Sequence, residues 1–410
     1  MNKKLLILAV AGFAFASCSN DEVVESAATS DSNAISFRAF NSGITRATDA
    51  SFATGKSFKV TAFESGATSN AYFTNEVFST TDGATFTSTN KHYWPNTYNL
   101  DFYAWQPSSL SATTGNYTGF SISPSTTVSE QIDFVYAVTR GWGRYTGYTH
   151  DGSAGVTINF RHAESKVLVQ LKNTNDNLKI TVGNVTIGNL RGTETFTWNG
   201  VTDGTTQTAA ATATTDGQYT SGTLTYLDGT WTATSEQNSA YTVGMGTDNI
   251  TDDKSASSAR NVFNGNQPTA RNLTSSAPSY EMILIPQVLN AKTVYSDATS
   301  SATFAGAYIT AQIKIQNKAN DAYIVGSASD YITAMWPLTA LTWLPGHKYT
   351  YTVDLAGGGY YVTNQDSNDD LDPILEGAEI KFVSVTVDNW ADGAAASVYT
   401  GTPSSTPVVP

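Results

Sequence analysis

The chain has 410 residues, a net charge of −13 and a pI near 4.6, which excludes a nucleic-acid partner, because phosphate binding needs a clustered basic surface and no basic run is present. Charged residues reach only 14%, against about 25% in typical domains, while 11% aromatics among abundant Thr, Ser, Gly and Asn make a strand-and-turn composition with too much apolar surface for a disordered chain. The one cysteine, Cys18, excludes an internal disulfide and a Cys-based zinc site.

Asn2, Lys3 and Lys4 form a positive start, Leu5 to Phe15 a short apolar run, and Ala16 and Ser17 place small residues before Cys18. Residues 1–18 read as a lipoprotein signal peptide, cut before Cys18, whose thiol and new amino group take the lipid. The run is too short and too poorly flanked for a transmembrane helix. Residues 19–33 are polar and small, the composition of a tether.

Residues 34–40 then alternate, with Ile35, Phe37 and Ala39 on one face. A lone strand cannot hold its conformation, so this one must pair with a sheet. Asn41-Ser42-Gly43 breaks it, and a polar connector over residues 47–55 separates it from the next strand, Phe58 to Phe63. A basic residue in such a connector, Arg46, is open to a trypsin-like protease. A cut between Arg46 and Ala47 would free the strand and expose a sheet edge over an apolar groove. The same residues also fit an ordinary first strand followed by an ordinary loop arginine.

Leu100 to Trp105 and Asp133 to Val138 are dense in aromatic and β-branched residues and predict central strands, and Trp94, before Pro95, predicts a core anchor. Gly141, Gly143, Gly147, Gly152 and Gly155 mark a turn-rich stretch that places a domain boundary near residue 155. Val156 to Phe160 and Val167 to Leu171 are expected to open a second domain, continued by 179–182, 185–187 and 307–316. Residues 199–280, rich in Thr, Ser, Ala and Gly, read as loops and edge strands inserted on that domain, either presented outward or simple decoration.

At this point the chain resembles the Bacteroidales fimbrillin family, the subunits of type V pili. The resemblance spans nearly the whole sequence: Cys18, the Ile35-Ser36-Phe37 strand ending in Thr45-Arg46-Ala47, Tyr93-Trp94-Pro95, Leu100 to Pro107, Asp133 to Ala137, Ile158 to Val167, Met282 to Gln287, Trp343 to Tyr351 and Val385 to Trp390. It implies an all-β fold of two transthyretin-like β-sandwich domains in tandem. With the boundary above, these are residues 47–155 and 156–410, after a propeptide over 19–46. It also implies outer-membrane lipoprotein export, removal of the first strand by an Arg-specific protease between Arg46 and Ala47, and assembly with other fimbrial subunits by strand exchange into a fimbria that supports cell adhesion. Ile35 and Phe37 would hold the groove before the cut.

The tail over residues 391–410 is small-residue-rich and β-compatible through Val398, Tyr399 and Thr400. It reads as a donor strand for a neighbouring subunit or as a frayed terminus, with prolines at 403, 407 and 410 shortening any paired stretch. Enzyme readings lack residues to carry them: the histidines at 92, 150, 162 and 347 are far apart, and neither an H-E-x-x-H, a G-x-S-x-G nor a Walker pattern occurs. No metal or cofactor is assigned. Asp366, Asn368, Asp370 and Asp372 match the first part of a calcium loop, but Leu371 stands where the loop needs Gly and Gly377 where it needs Glu, so the run reads as a solvated acidic loop. The competing reading is a surface lipoprotein that never polymerises and binds a glycan or host ligand on an exposed aromatic platform.

Overall fold

Strands β1 (Phe37–Asn41), β2 (Ser57–Glu64), β3 (Phe73–Ser79), β4 (Leu100–Gln106), β5 (Val135–Gly143) and β6 (Val156–His162) build the first sheet in the order β1-β6-β5-β4-β2-β3, with Ala50–Ser51 beyond β1 and Thr87–Ser88 beyond β3. The computed structural model describes residues 33–41, 50–51, 56–67, 69–110, 119–198, 208–213, 219–226, 229–233, 237–244, 249–250, 258–275, 280–289, 293–295, 303–362, 372–377 and 383–390. Over them the chain is all-β; helix is confined to single 3₁₀ turns at Val128–Glu130 and Leu355–Gly357. β1 runs parallel to β6, and the remaining pairs from β6 to β3 are antiparallel.

The first sheet closes on itself. Phe86, next to Thr87–Ser88, exchanges both backbone bonds with Phe37, at 3.0 and 2.8 Å. β1 is therefore bonded on both sides and is the closing stave of a ring, which leaves neither β6 nor the Phe86 segment as a free edge. Phe58, Val60, Phe78, Leu100, Phe102, Ala104, Val156, Ile158 and Phe160 fill the interior together with Ile35, Phe37 and Ala39.

Strands β7 (Ser165–Asn173), β8 (Leu178–Arg191), β9 (Glu194–Trp198), β10 (Gly229–Ala233), β11 (Tyr308–Asn317), β12 (Ile332–Pro337), β13 (His347–Asp354) and β14 (Ser384–Asn389) carry the rest. One sheet holds β7-β13-β14, the facing sheet β8-β11-β12. Their inner faces share one core that includes Val167, Val169, Leu171, Ile180, Val182, Ile309, Ile313, Tyr349 and Tyr351, the arrangement of a two-sheet sandwich.

Two sequence expectations meet a different placement. Val156–His162 follows the predicted boundary near residue 155, yet it is a central strand of the first sheet and buries Val156, Ile158 and Phe160 in the first core. The Gly-rich stretch before it is a connection within that unit. Among the described residues, part of the segment after residue 198 packs on the protein itself. β9 and β10 join 120–122, 208–213 and 219–226 in a separate sheet, and Phe196, Trp198 and Trp231 pack against Tyr103, Trp105, Phe134 and Tyr136 on the outer face of the first sheet. Those aromatics would otherwise be wetted, which is why β4 is buried on both faces: Leu100, Phe102 and Ala104 point into the ring and Tyr103 and Trp105 to the covering sheet. Gln237–Val243 and Val262–Asn264 pair with β8, and Gln267–Arg271 pairs with β7, so these parts complete the sandwich.

Candidate functional site: the seat of the N-terminal strand

The alternation of residues 35–39 is realised in full. Ile35 and Phe37 are 2% and 0% exposed and Ala39 is buried, while Arg38 faces solvent. Phe37 is held edge-on by three rings, from Phe58 on β2, Phe78 on β3 and Phe102 on β4, at centroid distances of 5.8, 4.7 and 5.1 Å and interplanar angles of 80–88°. Edge-to-face packing is the preferred aromatic geometry and fixes the ring in one orientation.

The backbone of this strand is bonded on both edges. On one side, Phe37, Ala39 and Asn41 lie opposite Val156, Ile158 and Phe160, and Val156 N–H donates to Ser36 O at 2.8 Å. On the other side, Ile35 N–H donates to His92 O at 2.7 Å, Trp94 N–H donates to Asn33 O at 3.2 Å, and Phe86 completes the pair with Phe37. The segment from Phe86 to Trp94 is thus a clasp laid along the strand. It is pinned in turn by His92, which stacks on Phe73 at 4.2 Å and lies 3.3 Å from the Glu76 carboxylate. Trp94 is buried against Phe102 at 5.9 Å.

Two glycines of the turn-rich stretch explain themselves here. Gly155 adopts φ +89°, and a Cβ there would meet Ser36 Oγ at 3.2 Å. At Gly152 a Cβ would enter the Trp94 indole, so the ring lies flat on bare backbone. Sequence reading found Trp94 and the glycines but not their relation to the strand, nor the roles of Phe86 and His92, because these contacts join residues far apart in the chain.

At the far end of β6 the chain passes from the first sheet into β7 through His162-Ala163-Glu164-Ser165. His162 Nδ1 lies 2.8 Å from Asp133 Oδ2, and its ring stacks on Trp390 at 3.9 Å and 5°. The Lys166 ammonium lies over the same indole at 4.5 Å and, with Lys348, pairs with Glu281. Burial would raise the Glu281 carboxyl, but the two lysines outweigh it and hold it below the ordinary range. Trp390 N–H donates to Gly346 O at 2.8 Å. The root of the tail is therefore clamped at the junction of the two cores.

Glu164 is enclosed there. Its Oε2 accepts Phe134 N–H at 2.8 Å. Burial first, and then the Asp133 charge, push its carboxyl well above the ordinary range. Trp231 Nε1–H, from the covering sheet, donates to Ala163 O at 2.7 Å. His347, the other histidine of a family-like stretch, is held by Pro345 O at 2.8 Å, and burial lowers its pKa. Both histidines are engaged in packing and hydrogen bonds.

Cys18, Arg46, Ala47, Val398 and Tyr399 lie outside the described residues, as do Asp366, Asn368 and Asp370. Asp372 is described, and its carbonyl accepts Tyr361 N–H at 2.9 Å. Among the described residues, no group of three or more His, Cys, Asp or Glu side chains is placed to hold a metal ion.

The sequence matches the fimbrillin-like family over residues 45–390. No curated protein matches it. A solved fimbrial protein from Bacteroides vulgatus is similar at 14% identity, covering 87% of this chain and 99% of that one, with a TM-score of 0.48. A solved fimbrilin from Porphyromonas gingivalis is similar at 9% identity, covering 87% and 97%, with a TM-score of 0.39. With the family match spanning most of its length, the chain belongs to the fimbrillin-like family.

Proposed function

We propose that this protein is a structural, non-enzymatic subunit of a cell-surface fimbria that assembles by exchange of β1. In this reading the chain is exported as an outer-membrane lipoprotein anchored through Cys18. An Arg-specific, trypsin-like protease cuts between Arg46 and Ala47, and β1 departs with residues 19–46. A strand from another fimbrial subunit then fills the vacated slot, and the tail with Val398 and Tyr399 fills the slot of a neighbour. The mature body is organised as two transthyretin-like sandwiches in tandem.

The observation that carries this reading is the seat of β1, a short segment bonded on both edges whose inward side chains are buried in the first core. Its loss would leave two unpaired backbone edges and an open apolar groove, a state that another strand can relieve.

Trypsin treatment of the chain from Cys18 onward tests it. One early cut after Arg46, release of β1 and a ladder of oligomers are expected, and Arg46→Ala should keep the protein whole and monomeric. A cut at Arg46 that leaves β1 seated and the protein monomeric refutes the exchange.

A further inference from the structure

Strand alternation gives the β8-β11-β12 sheet an outer face rich in tyrosine. Ile309, Ala311 and Ile313 of β11 and Ala334 and Trp336 of β12 enter the second core, so Tyr308, Thr310, Gln312 and Thr333 project from the opposite face. Tyr331 lies on that face too, because Ile332, the next residue, packs against the core opposite Ile313. Gln312, Tyr331 and Thr333 are exposed. Both tyrosines rest on bare backbone of β8: a Cβ at Gly188 would come within 2.9 Å of Tyr308 Cε2, and one at Gly183 within 3.3 Å of Tyr331 Cε1. The Lys314 ammonium lies over the Tyr331 ring at 4.3 Å. The two rings are thus held before any ligand arrives, about 17 Å apart along β11.

We propose that this face binds a neutral glycan chain laid along β11, with sugar rings on Tyr308 and Tyr331 and sugar hydroxyls on Thr310, Gln312 and Thr333. A pyranose ring has C–H faces that lie on aromatic rings and a rim of hydroxyls that pairs with hydroxyl and amide side chains. Tyrosine offers such contact at low conformational-entropy cost. Charge selects the occupant. The chain carries −13 overall, yet among the described residues the strip from Tyr308 to Thr333 presents hydroxyl and amide groups and no charge; the Thr186 and Thr310 hydroxyls are bonded at 2.5 Å. At the far end Lys314 is engaged by Ala328 O, and Lys179 pairs with Asp321 at 2.9 Å. An anionic polymer would meet an acidic protein whose nearby lysines are already engaged. A protein partner would need a contiguous apolar centre, and threonine and glutamine stand between the two rings. The inference does not depend on exchange of β1.

The test passes the full chain from Cys18 onward, left uncut, over immobilised neutral polymers (glucan, mannan, galactan and xylan) and acidic ones (polygalacturonate and hyaluronan), with binding read by biolayer interferometry. At least one neutral polymer should retain the protein, and the acidic ones should not. Tyr331→Ala should weaken that binding by about tenfold or more, and Gln312→Ala by about three- to tenfold. Both side chains are exposed, so urea midpoints should stay close to wild type. Tyr148→Ala removes a comparably exposed tyrosine from the first unit and should leave binding unchanged. Retention by no neutral polymer, equal retention by the acidic ones, or binding that survives both Tyr331→Ala and Gln312→Ala within about twofold overturns the proposal. If no polymer binds and Tyr331→Ala disperses a dimer of the uncut chain, the face is an interface between copies and the glycan is excluded.

Discussion

Replacing Phe37 by alanine probes the seat of β1 most directly. Phe37 is fully buried, and three rings contact it edge-on at 4.7–5.8 Å. Truncating a buried phenylalanine costs about 3–5 kcal/mol. The upper part of that range is expected here, because each aromatic pair lost adds roughly 0.5–1.5 kcal/mol beyond area burial. The loss falls on β1 more than on the whole chain, so the assay should be local. Hydrogen exchange read by mass spectrometry over residues 86–94 and 156–160 reports the amides of Phe86, Trp94 and Val156, which all donate to the β1 segment. With about 1.4 kcal/mol per tenfold, 4 kcal/mol corresponds to exchange faster by roughly a thousandfold, up to the limit set by other opening motions. Arg38→Ala, on the solvent face, should leave both segments within about threefold of wild type. Unchanged exchange at Phe86 and Val156 in Phe37→Ala would refute the argument that the buried ring holds β1 between its two neighbours.

Three further outcomes follow from the same geometry. Gly152→Ala drives a methyl into the Trp94 indole and should cost about 1–3 kcal/mol, seen as a lower urea midpoint and a changed near-ultraviolet tryptophan spectrum. Trp231→Phe keeps an aromatic ring, though a smaller one, and leaves Ala163 O without its 2.7 Å donor, which should cost at least about 1–3 kcal/mol in urea unfolding. Glu164→Gln keeps an acceptor for Phe134 N–H and removes an acid whose pKa is raised by burial and by Asp133, beside Tyr241. Because the folded pKa is raised, the folded state retains a proton that the unfolded state releases above the ordinary glutamate value of 4.5. The wild-type carboxyl contributes fully below that pH, and its contribution falls by up to about 1.4 kcal/mol per pH unit as pH rises toward the folded pKa. Urea unfolding from pH 4 to 8 should therefore show the variant gaining on wild type as pH rises, and parallel profiles would refute the raised pKa of Glu164.

The local part of this architecture was legible in the sequence. The sidedness of Ile35, Phe37 and Ala39 follows from the two-residue period of a strand, and the density of apolar residues in Leu100 to Trp105 marks a central strand, because both depend only on near neighbours along the chain. The buried fate of Trp94 and Trp105 could be read from the same local patterns. What the sequence could not determine was which strands meet. Phe37 finds Phe86 on one side and Val156 on the other, Trp231 reaches back to Ala163, and Trp390 stacks on His162. A β-ladder takes its partners from anywhere in the chain, and the hydrogen-bonding groups that join them are the same at every residue, so pairing leaves no local signature. The placement of β6 in the first unit and of β9 and β10 over its outer face was decided by tertiary structure alone, where the uncovered rings of Tyr103 and Trp105 had to be shielded from water.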